Sequence, residues 1–399
     1  MKKLLIIDKS FDVGGIQTSL INLCLCLKDY YEIDLLMYYP EGELKGLLPE
    51  EVKIIEPSWR LETLGMSFSK CMKQGTFRQK YFRIFSTIWT KVFDNRLPIH
   101  LVTKHQKKLG EYDVAIAYHH EAEKKSLTSG FIRIMAECVE AKKKISWIHN
   151  DTGTYEIDEQ FNDNYYNLVD EIVAVSKSVK DNFVNKHPQY KDKVSYCYNF
   201  LDYNGILEKS KESQEMPFPE GKFICFSACR LTPIKGIVRA ITTLAPIFKG
   251  NQDILWVIAG DGSDKEAIKD VISKYELEKS IVLIGNQTNP YCYMKNSDLI
   301  MLLSFHEAAP MLYSEARFLG IPIFTTELSS SKEMLSQVDN AYICQNNEKG
   351  IYEGFLHIIE NKEWIKKQKK LECDNVGFEE NFDRLKEILQ LPFDVRKEK

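Results

Sequence analysis

Residues 223–236 are FICFSACRLTPIKG, an apolar run that ends in a polar turn with two cations. Apolar runs that alternate with helical patterns indicate βαβ units and parallel sheets. Arg230 and Lys235 therefore stand where a strand gives way to a helix. In open α/β sheets this carboxyl edge is where ligands bind, and a guanidinium fork beside an ammonium suits a diphosphate. A pair of unrelated surface cations is the alternative explanation.

The same alternation of apolar runs and helical patterns recurs through the whole chain and predicts an α/β fold with two parallel sheets. Strands in the first half are predicted at Leu4–Ile7, Ile33–Met37, Val114–Ala117, Lys144–Trp147 and Glu171–Val175. Strands in the second half are predicted at Phe223–Ser227, Ile254–Ala259, Ile281–Ile284, Leu299–Leu303 and Pro322–Thr325.

A polar stretch separates the two halves. Residues 207–221 contain few apolar side chains and end in Met-Pro-Phe-Pro-Glu-Gly, which predicts a linker. We therefore predict a Rossmann-like N-terminal domain over 1–206 and a Rossmann-like C-terminal domain over 222–390. The helical pattern over 350–390 can cross back to the first domain. A tail occupies 391–399.

The composition narrows the class of protein. A chain of 399 residues with 44% hydrophobic content can bury two cores, and its net charge of -4 attracts no nucleic acid. No apolar run reaches the 18 to 20 residues of a membrane span, and Asp8 ends the first apolar run too early for a signal peptide. The ten cysteines form no CxxC pair, which is typical of reduced thiols. We expect a cytoplasmic protein.

A glycine pair follows the first predicted strand. Gly14 and Gly15 lead directly into an amphipathic helix. A helix N-terminus reached by a loop without side chains lets backbone N–H groups approach an anion. An ordinary tight turn is the alternative, because the GxGxxG spacing of a dinucleotide site is absent.

Two glutamates follow the fourth strand of the second half. Residues 304–316 are SFHEAAPMLYSEA, and Pro310 fits the first turn of a helix. Glu307 then lies in the loop above the helix, and Glu315 lies well inside it. Because Glu315 is flanked by apolar residues, we expect it to be buried, and hydroxyl donors would be suitable partners for its carboxylate.

The order of these motifs resembles the retaining glycosyltransferases of family 4, which have the GT-B fold. The shared pattern is the Gly-Gly turn, Arg-Leu-x-x-x-Lys-Gly, VIAGDG at 257–262, Glu-x7-Glu followed by Ala, and Gly-Ile-Pro-Ile at 320–323. The resemblance implies two Rossmann-like domains whose parallel sheets face a central cleft. It also implies a hexosyltransferase (EC 2.4) that moves a sugar from a nucleotide-sugar, foremost a UDP-sugar, to a glycan or lipid-linked saccharide of a bacterial surface polysaccharide.

The resemblance assigns roles to individual residues. Arg230 and Lys235 would bind the donor diphosphate, Glu307 the hydroxyls of the donor sugar, and Glu315 the ribose hydroxyls. His149 would lie at the reacting carbon or the acceptor, although a histidine at a strand end is also a common structural residue. The other positions implied are Gly14, Gly15, Asn286, Gln287, Ala309, Pro310, Met311 and Leu312 on the donor side and Asp151 on the acceptor side.

One position departs from the family pattern. The family usually has glycine directly after the first glutamate, where this chain has Ala308. A methyl group there would narrow the sugar site or forbid a positive φ.

The sequence contains no Asp-x-Asp pair, with which glycosyltransferases of the other common fold hold a metal. We therefore expect no metal and no cofactor, and attack on the same face that the phosphate leaves. A GT-B epimerase and a non-catalytic GT-B subunit remain alternatives. A nicotinamide-dependent oxidoreductase is disfavoured because GxGxxG is missing.

A basic segment spans residues 70–109. Its cations are Lys70, Lys73, Arg78, Lys80, Arg83, Lys91, Arg96, Lys104, Lys107 and Lys108. Its apolar residues at helical spacing are Tyr81, Phe82, Phe85, Ile88, Trp89, Val92 and Phe93. This pattern predicts either a helix on an anionic membrane surface, at the inner face of the cell membrane, or a core helix with a solvated basic face.

Overall fold

The computed structural model describes residues 1–121, 124–150, 165–368 and 378–391. The chain divides into two compact units, one of Met1–Phe200 with Phe378–Lys399 and the other of Leu201–Gly377. The domain boundaries inferred from the sequence, 1–206 and 222–390 with a linker between them, remain predictions.

The first unit contains a seven-stranded parallel sheet. Its strands are β1 (Lys2–Asp8), β2 (Tyr31–Met37), β3 (Lys53–Ile55), β4 (Glu111–Ala117), β5 (Glu140–Ile148), β6 (Glu171–Ala174) and β7 (Val194–Tyr196). The spatial order is β3-β2-β1-β4-β5-β6-β7, so the direction of winding reverses between β1 and β4. Loops after the two strands at such a reversal form the usual ligand site of a doubly wound sheet.

The described helices of the first unit that precede residue 200 are α1 (Gly15–Leu27), α2 (Trp59–Gly65), α3 (Phe68–Gln74), α4 (Phe77–Val92), α5 (Arg96–His105), α6 (Phe131–Cys138) and α7 (Lys177–Lys186). Helices α2, α3, α4 and α7 begin at side-chain caps. Ser58, Ser67 and Ser176 each accept a hydrogen bond from a backbone N–H of the first turn that follows. Thr76 and Gln79 form a capping box at α4. These caps satisfy N–H groups that have no partner within the helix.

The second unit contains a six-stranded parallel sheet. Its strands are β8 (Phe223–Ala228), β9 (Ile254–Ala259), β10 (Ile281–Gly285), β11 (Leu299–Leu302), β12 (Ile323–Thr326) and β13 (Ala341–Cys344). The spatial order is β10-β9-β8-β11-β12-β13, with the reversal between β8 and β11. Buried side chains such as Trp256, Phe248 and Phe355 fill the core on one face of this sheet.

Eight helices complete the described part of the second unit. They are α8 (Tyr203–Ser210), α9 (Ile237–Gly250), α10 (Lys265–Lys274), α11 (Tyr291–Asn296), α12 (Met311–Phe318), α13 (Ser329–Leu335), α14 (Glu348–Glu360) and α15 (Lys362–Lys367). The last helix, α16 (Phe378–Leu389), belongs to the first unit. Tyr31 donates a hydrogen bond to the carbonyl of Leu389, and Asn381 bonds the backbone of Tyr198.

Each strand predicted from the sequence is present, and the α/β fold class with two parallel sheets is confirmed. The sequence missed β3, β7 and β13, which are three or four residues long. All three are edge strands. Because one side of an edge strand lacks a neighbour, most of its residues are only partly buried, and no continuous apolar run marks it.

Candidate active site

The loops after β8 and β11 bring Lys235 and Glu307 into direct contact. The Lys235 Nζ donates to Glu307 Oε1 at 2.6 Å, and Ser304 Oγ donates to the same oxygen at 2.6 Å. Glu307 is only 9% exposed. The two residues were predicted for different parts of the donor, and the structure pairs them. The pair gives a buried carboxylate the cation that it needs in a poorly solvated site.

Arg230 stands on a loop that neighbouring glycines hold in place. A Cβ on Gly260 would lie 1.9 Å from the carbonyl oxygen of Cys229, and one on Gly262 would lie 2.2 Å from that of Leu231. Glycine at both positions therefore lets the two backbones touch. The Arg230 side chain is exposed, and its guanidinium has no hydrogen bond or ion pair with any described residue. It is available to an anion at the sheet edge.

Gly236 forms the corner between the loop and α9. Its φ is 65°, and a Cβ there would lie 2.6 Å from the carbonyl oxygen of Leu303. The sequence analysis missed Arg239 in the next turn, which donates to that same carbonyl at 2.9 Å. Its guanidinium lies 3.7 Å from the ring centroid of the exposed Phe305. Its position in the first turn of the helix that follows Lys235 and Gly236 was the available signal.

Glu315 is buried inside α12, as its apolar flanks predicted. Burial raises its pKa to about 7, and a hydrogen bond from Tyr291 OH to Oε1 at 3.1 Å opposes that rise. Tyr291 begins α11, and its backbone N–H donates to the side chain of Asn289. Tyr291 therefore supplies a hydroxyl donor to the Glu315 carboxylate. The sequence predicted that such a donor is needed but did not identify it.

The remaining donor-side positions lie at strand and helix ends of the second unit. The exposed Asn286 and the partly buried Gln287 follow β10, and Gln287 Nε2 donates to the carbonyl of Ile284 at 3.0 Å. Ala309 and Pro310 precede α12, whose first residues are Met311 and Leu312. Backbone N–H groups at a helix start attract anions.

Ala308 takes an ordinary backbone conformation. Among the described residues, a positive φ at a residue other than glycine occurs at Glu276 and Gln390 alone. The departure from the family pattern therefore introduces no backbone strain.

In the first unit, the glycine pair begins α1. Gly14 is the N-cap, with φ 176°, and Gly15 is the first helical residue. An extended backbone of this kind suits any residue, so glycine at 14 is not required by conformation. The carbonyl of Gly14 accepts the first helical bond, from Thr18 at 3.0 Å.

His149 directly follows β5 and is 8% exposed. Its ring lies edge-to-face against Tyr118 at 4.6 Å. Burial first, and then the neighbouring His119, lower the pKa of His149 to about 3, so the imidazole is neutral at pH 7. Its Nε2 is buried and has no hydrogen-bond partner among the residues that the structure describes. Asp151, predicted on the acceptor side, lies outside the described residues.

The sequence analysis missed a polar cluster at the carboxyl ends of β1 and β4. His119 Nδ1 lies 2.9 Å from Oδ1 of the buried Asp8. The His120 ring stacks on His119 at 4.9 Å, and Asn150 Nδ2 lies 2.7 Å from His120 Nε2. Asp8 and the histidine pair each come just after a predicted strand, which was the available signal.

Helix α4, from the basic segment, turns its apolar face outward. The exposed face carries Phe77 at 77% exposure, Ile88 at 59%, and Tyr81, Ile84, Phe85 and Val92. The opposite face is buried and polar, with Gln79, Ser86 and Thr90. Gln79 Nε2 donates to Glu62, and Arg83 donates to the carbonyls of Thr63 and Leu64 at the end of α2. Most of the predicted stripe is therefore exposed, whereas Phe82 and Trp89 are partly buried and Phe82 packs edge-on against Trp59.

Among residues 1–121, 124–150, 165–368 and 378–391, no group of three or more His, Cys, Asp or Glu side chains is arranged to hold a metal ion. Within the same ranges, no helix has both the length and the apolarity needed to cross a bilayer.

Comparison with known proteins finds a family match in the second part of the chain. Residues 208–373 match the model described as glycosyl transferases group 1. This part of the chain therefore resembles the group 1 glycosyltransferases. The chain is 28% identical over 179 residues to the O-antigen biosynthesis glycosyltransferase WclY of Escherichia coli, covering 44% of this chain and 49% of that protein. It is 22% identical over 197 residues to N-acetyl-alpha-D-glucosaminyl L-malate synthase of Bacillus anthracis, covering 49% and 51%. The chain spans about half the length of these curated relatives.

Solved structures resemble the fold of this chain over almost its full length. Alr3699/HepE of Anabaena, in complex with UDP and glucose, aligns with a TM-score of 0.68 at 15% identity and covers 98% of this chain and 100% of that one. WaaG, a glycosyltransferase involved in lipopolysaccharide biosynthesis, aligns with a TM-score of 0.63 at 9% identity and covers 98% and 100%. The predicted GT-B fold and family resemblance are confirmed.

Proposed function

We propose that this protein transfers a sugar from a UDP-sugar to a hydroxyl of a glycan or a lipid-linked saccharide, with retention of configuration. The observation that carries the proposal is the reversal point of the second sheet, where Lys235, Glu307 and Ser304 meet beside the exposed Arg230. One structural neighbour holds UDP and glucose. A curated relative from Campylobacter jejuni is named as a 4-alpha-N-acetylgalactosaminyltransferase acting on a diphospho-undecaprenol saccharide.

In this proposal, cations and helix amides hold the donor diphosphate. Arg230 offers a fork of donors, and Lys235 offers an ammonium that Glu307 already orients. The amides at the start of α12, after Ala309 and Pro310, add partial positive charge. Together they stabilise the negative charge that develops on the leaving diphosphate without a metal. Glu307 also contacts the hydroxyls of the donor sugar.

The nucleoside binds at Glu315, whose carboxylate accepts hydrogen bonds from the ribose hydroxyls. Tyr291 occupies one lone pair of Oε1, which leaves the other carboxylate oxygen for the ligand. Asn286 and Gln287 contact the base from the end of β10.

In the first unit, Gly14 and Gly15 at the start of α1 are the predicted donor-side positions, and their backbone can approach an anion. His149 is neutral, so it binds a substrate hydroxyl as a hydrogen-bond acceptor and not as a cation. Asp151 remains the predicted residue of the acceptor side.

A nucleotide-sugar screen tests this proposal. We expect UDP-sugars to raise the melting temperature more than the GDP and ADP sugars do, because a ligand that binds only the folded state stabilises it. Release of UDP that requires a saccharide acceptor supports transfer. Acceptor-independent conversion of the sugar would instead indicate an epimerase, and the absence of both activities with intact UDP-sugar binding would indicate a non-catalytic subunit.

We further propose that α4 lies on an anionic membrane surface. Its exposed face is apolar, and Arg78 flanks that face on one side while Lys80 and Lys91 flank it on the other. A helix that buries polar residues and exposes aromatic ones suits the boundary between head groups and acyl chains. Each cation near an anionic lipid surface contributes about 1 kcal/mol.

Liposome sedimentation tests the membrane proposal with two variants. Replacing Phe77, Tyr81 and Ile88 by serine should abolish binding to phosphatidylglycerol liposomes, and replacing Arg78, Lys80 and Lys91 by glutamine should weaken it at low salt. Arg83 is left unchanged because it bonds the end of α2. A matched control replaces Lys265, Lys269 and Lys274 of α10 by glutamine. Wild-type protein that stays in the supernatant at low salt would overturn the proposal.

A further inference from the structure

Ser304 is a buried serine that contacts the carboxylate proposed to bind the donor sugar. It lies two positions beyond β11, and it is 0% exposed. Its hydroxyl donates to Glu307 Oε1 at 2.6 Å, and the Lys235 ammonium donates to the same oxygen at 2.6 Å. All three residues belong to the second unit. Both lone pairs of Oε1 are therefore occupied.

The other carboxylate oxygen of Glu307, Oε2, is the one left for a ligand. It makes no hydrogen bond or ion pair with any described residue, and it is not one of the buried polar atoms without a partner. It therefore keeps some surface open to solvent, in a side chain that is 8% exposed. An ionised carboxylate can only accept hydrogen bonds, so Oε2 suits a group that donates, such as a sugar hydroxyl, and disfavours a phosphate.

Lys235 alone does not determine which oxygen of Glu307 faces the ligand. Its ammonium is a point charge on a flexible four-carbon chain, so it can follow either oxygen as the carboxylate rotates. One of its three hydrogens goes to Glu307, which leaves two for the donor diphosphate. A bound diphosphate competes with Glu307 for this cation, so the ion pair holds the carboxylate less firmly when the donor is present.

Ser304, in contrast, presents its hydroxyl from a fixed place. Its side chain is short and fully buried. Thr326 Oγ1, at the end of β12, donates to the Ser304 carbonyl at 2.7 Å. The backbone N–H of the next residue, Phe305, donates to the carbonyl of Ile234 at 2.8 Å. The serine is therefore held both by the neighbouring strand and by the loop that carries Lys235.

We propose that Ser304 is a positioning residue for sugar recognition, because its hydroxyl holds Glu307 Oε1 and thereby turns Oε2 toward a hydroxyl of the donor sugar. This inference rests on the proposed sugar transfer and deepens it. The Lys235 ammonium is then left to the diphosphate. The substrate class is a nucleotide-sugar with a free hydroxyl at the position that faces Oε2. A sugar with fluorine or a carboxylate at that position binds weakly, since neither group donates a hydrogen bond.

Calorimetric titration of matched variants tests this role. The variants are Ser304→Ala, Glu307→Gln and the two combined, and the control is Ser297→Ala. Ser297 precedes β11, is equally buried, and donates its hydroxyl to the carbonyl of Met294 at 2.6 Å. The probes are UDP, UDP-glucose, UDP-galactose and UDP-N-acetylglucosamine. A further set consists of analogues of the best-bound UDP-sugar in which fluorine replaces one sugar hydroxyl at a time.

We expect Ser304→Ala to weaken binding of the UDP-sugar by about tenfold, as for loss of a hydrogen bond to a charged group, and to change UDP binding by less than about twofold. The wild type should bind one fluorinated analogue about tenfold more weakly than its parent, and Ser304→Ala and Glu307→Gln should lose most of this discrimination. The double variant should bind no more weakly than Glu307→Gln, because both changes disrupt one contact. Ser297→Ala should match the wild type.

The possible outcomes distinguish this inference from the proposed function. Wild-type protein that binds none of the UDP-sugars overturns both. If Ser304→Ala binds the UDP-sugar as tightly as the wild type does, the positioning role is refuted and the proposed function stands. Equal weakening of UDP and the UDP-sugar, or an unchanged preference among the fluorinated analogues, indicates a purely structural serine and also refutes it. If Ser304→Ala does not fold, Ser304→Cys offers a much weaker donor of similar size, and the same comparisons decide.

Discussion

The proposed contact between Glu315 and the donor ribose would make donor binding depend on pH in a range that is easy to measure. Burial raises this pKa from an ordinary value of 4.5 to about 7. If ribose hydroxyls bind only the carboxylate, acid removes the binding form. A group with a pKa of about 7 is about 90% ionised at pH 8 and about 10% ionised at pH 6, so UDP-glucose should bind about tenfold more weakly at pH 6.

Calorimetric titration of UDP-glucose between pH 5.5 and 8.5 measures this change. Both phosphates of this ligand are esterified, so the ligand itself does not titrate there. His149, with a pKa of about 3, does not titrate there either. Glu315→Gln should bind weakly at every pH and show a flat profile. Tyr291→Phe removes the hydrogen bond that opposes the rise, so the midpoint should move to higher pH.

The free energy of unfolding of the ligand-free protein should also depend on the ionisation of Glu315, and it should fall as pH rises. A carboxyl whose folded pKa is raised stabilises the folded state below its unfolded pKa, and this contribution is lost as pH rises through about 7. The shift from 4.5 to about 7 corresponds to about 3 kcal/mol less free energy of unfolding at pH 8 than at pH 4.5 from this group. Glu315→Gln should remove that loss. Wild-type affinity that stays constant from pH 6 to 8, or a Glu315→Gln profile as steep as the wild type, would refute the reasoning.

Three further predictions concern the second unit. Arg230→Ala and Lys235→Ala should each slow UDP release by about 10² to 10³-fold. Of the two, only Lys235→Ala should also lower the free energy of unfolding, by about 1–3 kcal/mol, because it leaves the buried Glu307 without its cation. Near-normal rates in both variants would remove these cations from the site. Activity should survive EDTA, and complete loss restored by Mn²⁺ or Mg²⁺ would contradict the metal-free mechanism. Gly236→Ala should destabilise by about 1–3 kcal/mol in thermal denaturation, because φ is positive and a neighbouring carbonyl is 2.6 Å away. The control Gly250→Ala meets open space and should unfold like the wild type.

The local part of the site was predictable because parallel strands end at a common edge. The apolar run at 223–228 predicts β8, and whatever follows a strand next to the winding reversal lies at the ligand edge. Arg230 and Lys235 could therefore be placed from the sequence. The apolar flanks of Glu315 likewise predicted its burial.

The contacts across the fold were not predictable in this way. Lys235 and Glu307 are 72 positions apart, and Asp8 and His119 are 111 positions apart. Which side chains meet depends on strand order and on the packing of loops, and neither leaves a periodic trace in one sequence. The hydrogen-bond donor to Glu315 could not be identified from the sequence for the same reason, because Tyr291 lies on a different helix.

In helix α4, the sequence predicted the apolar stripe, and the tertiary structure determined which way the stripe faces. The spacing of its apolar residues determined that the helix has an apolar stripe, because residues at that spacing share one face. The same spacing is compatible with a stripe that packs inward or one that faces outward. The stripe faces outward because Gln79 and Arg83, on the opposite face of α4, donate hydrogen bonds to α2. The periodicity of a helix records which residues are neighbours on its surface, and only the rest of the fold determines which side is covered.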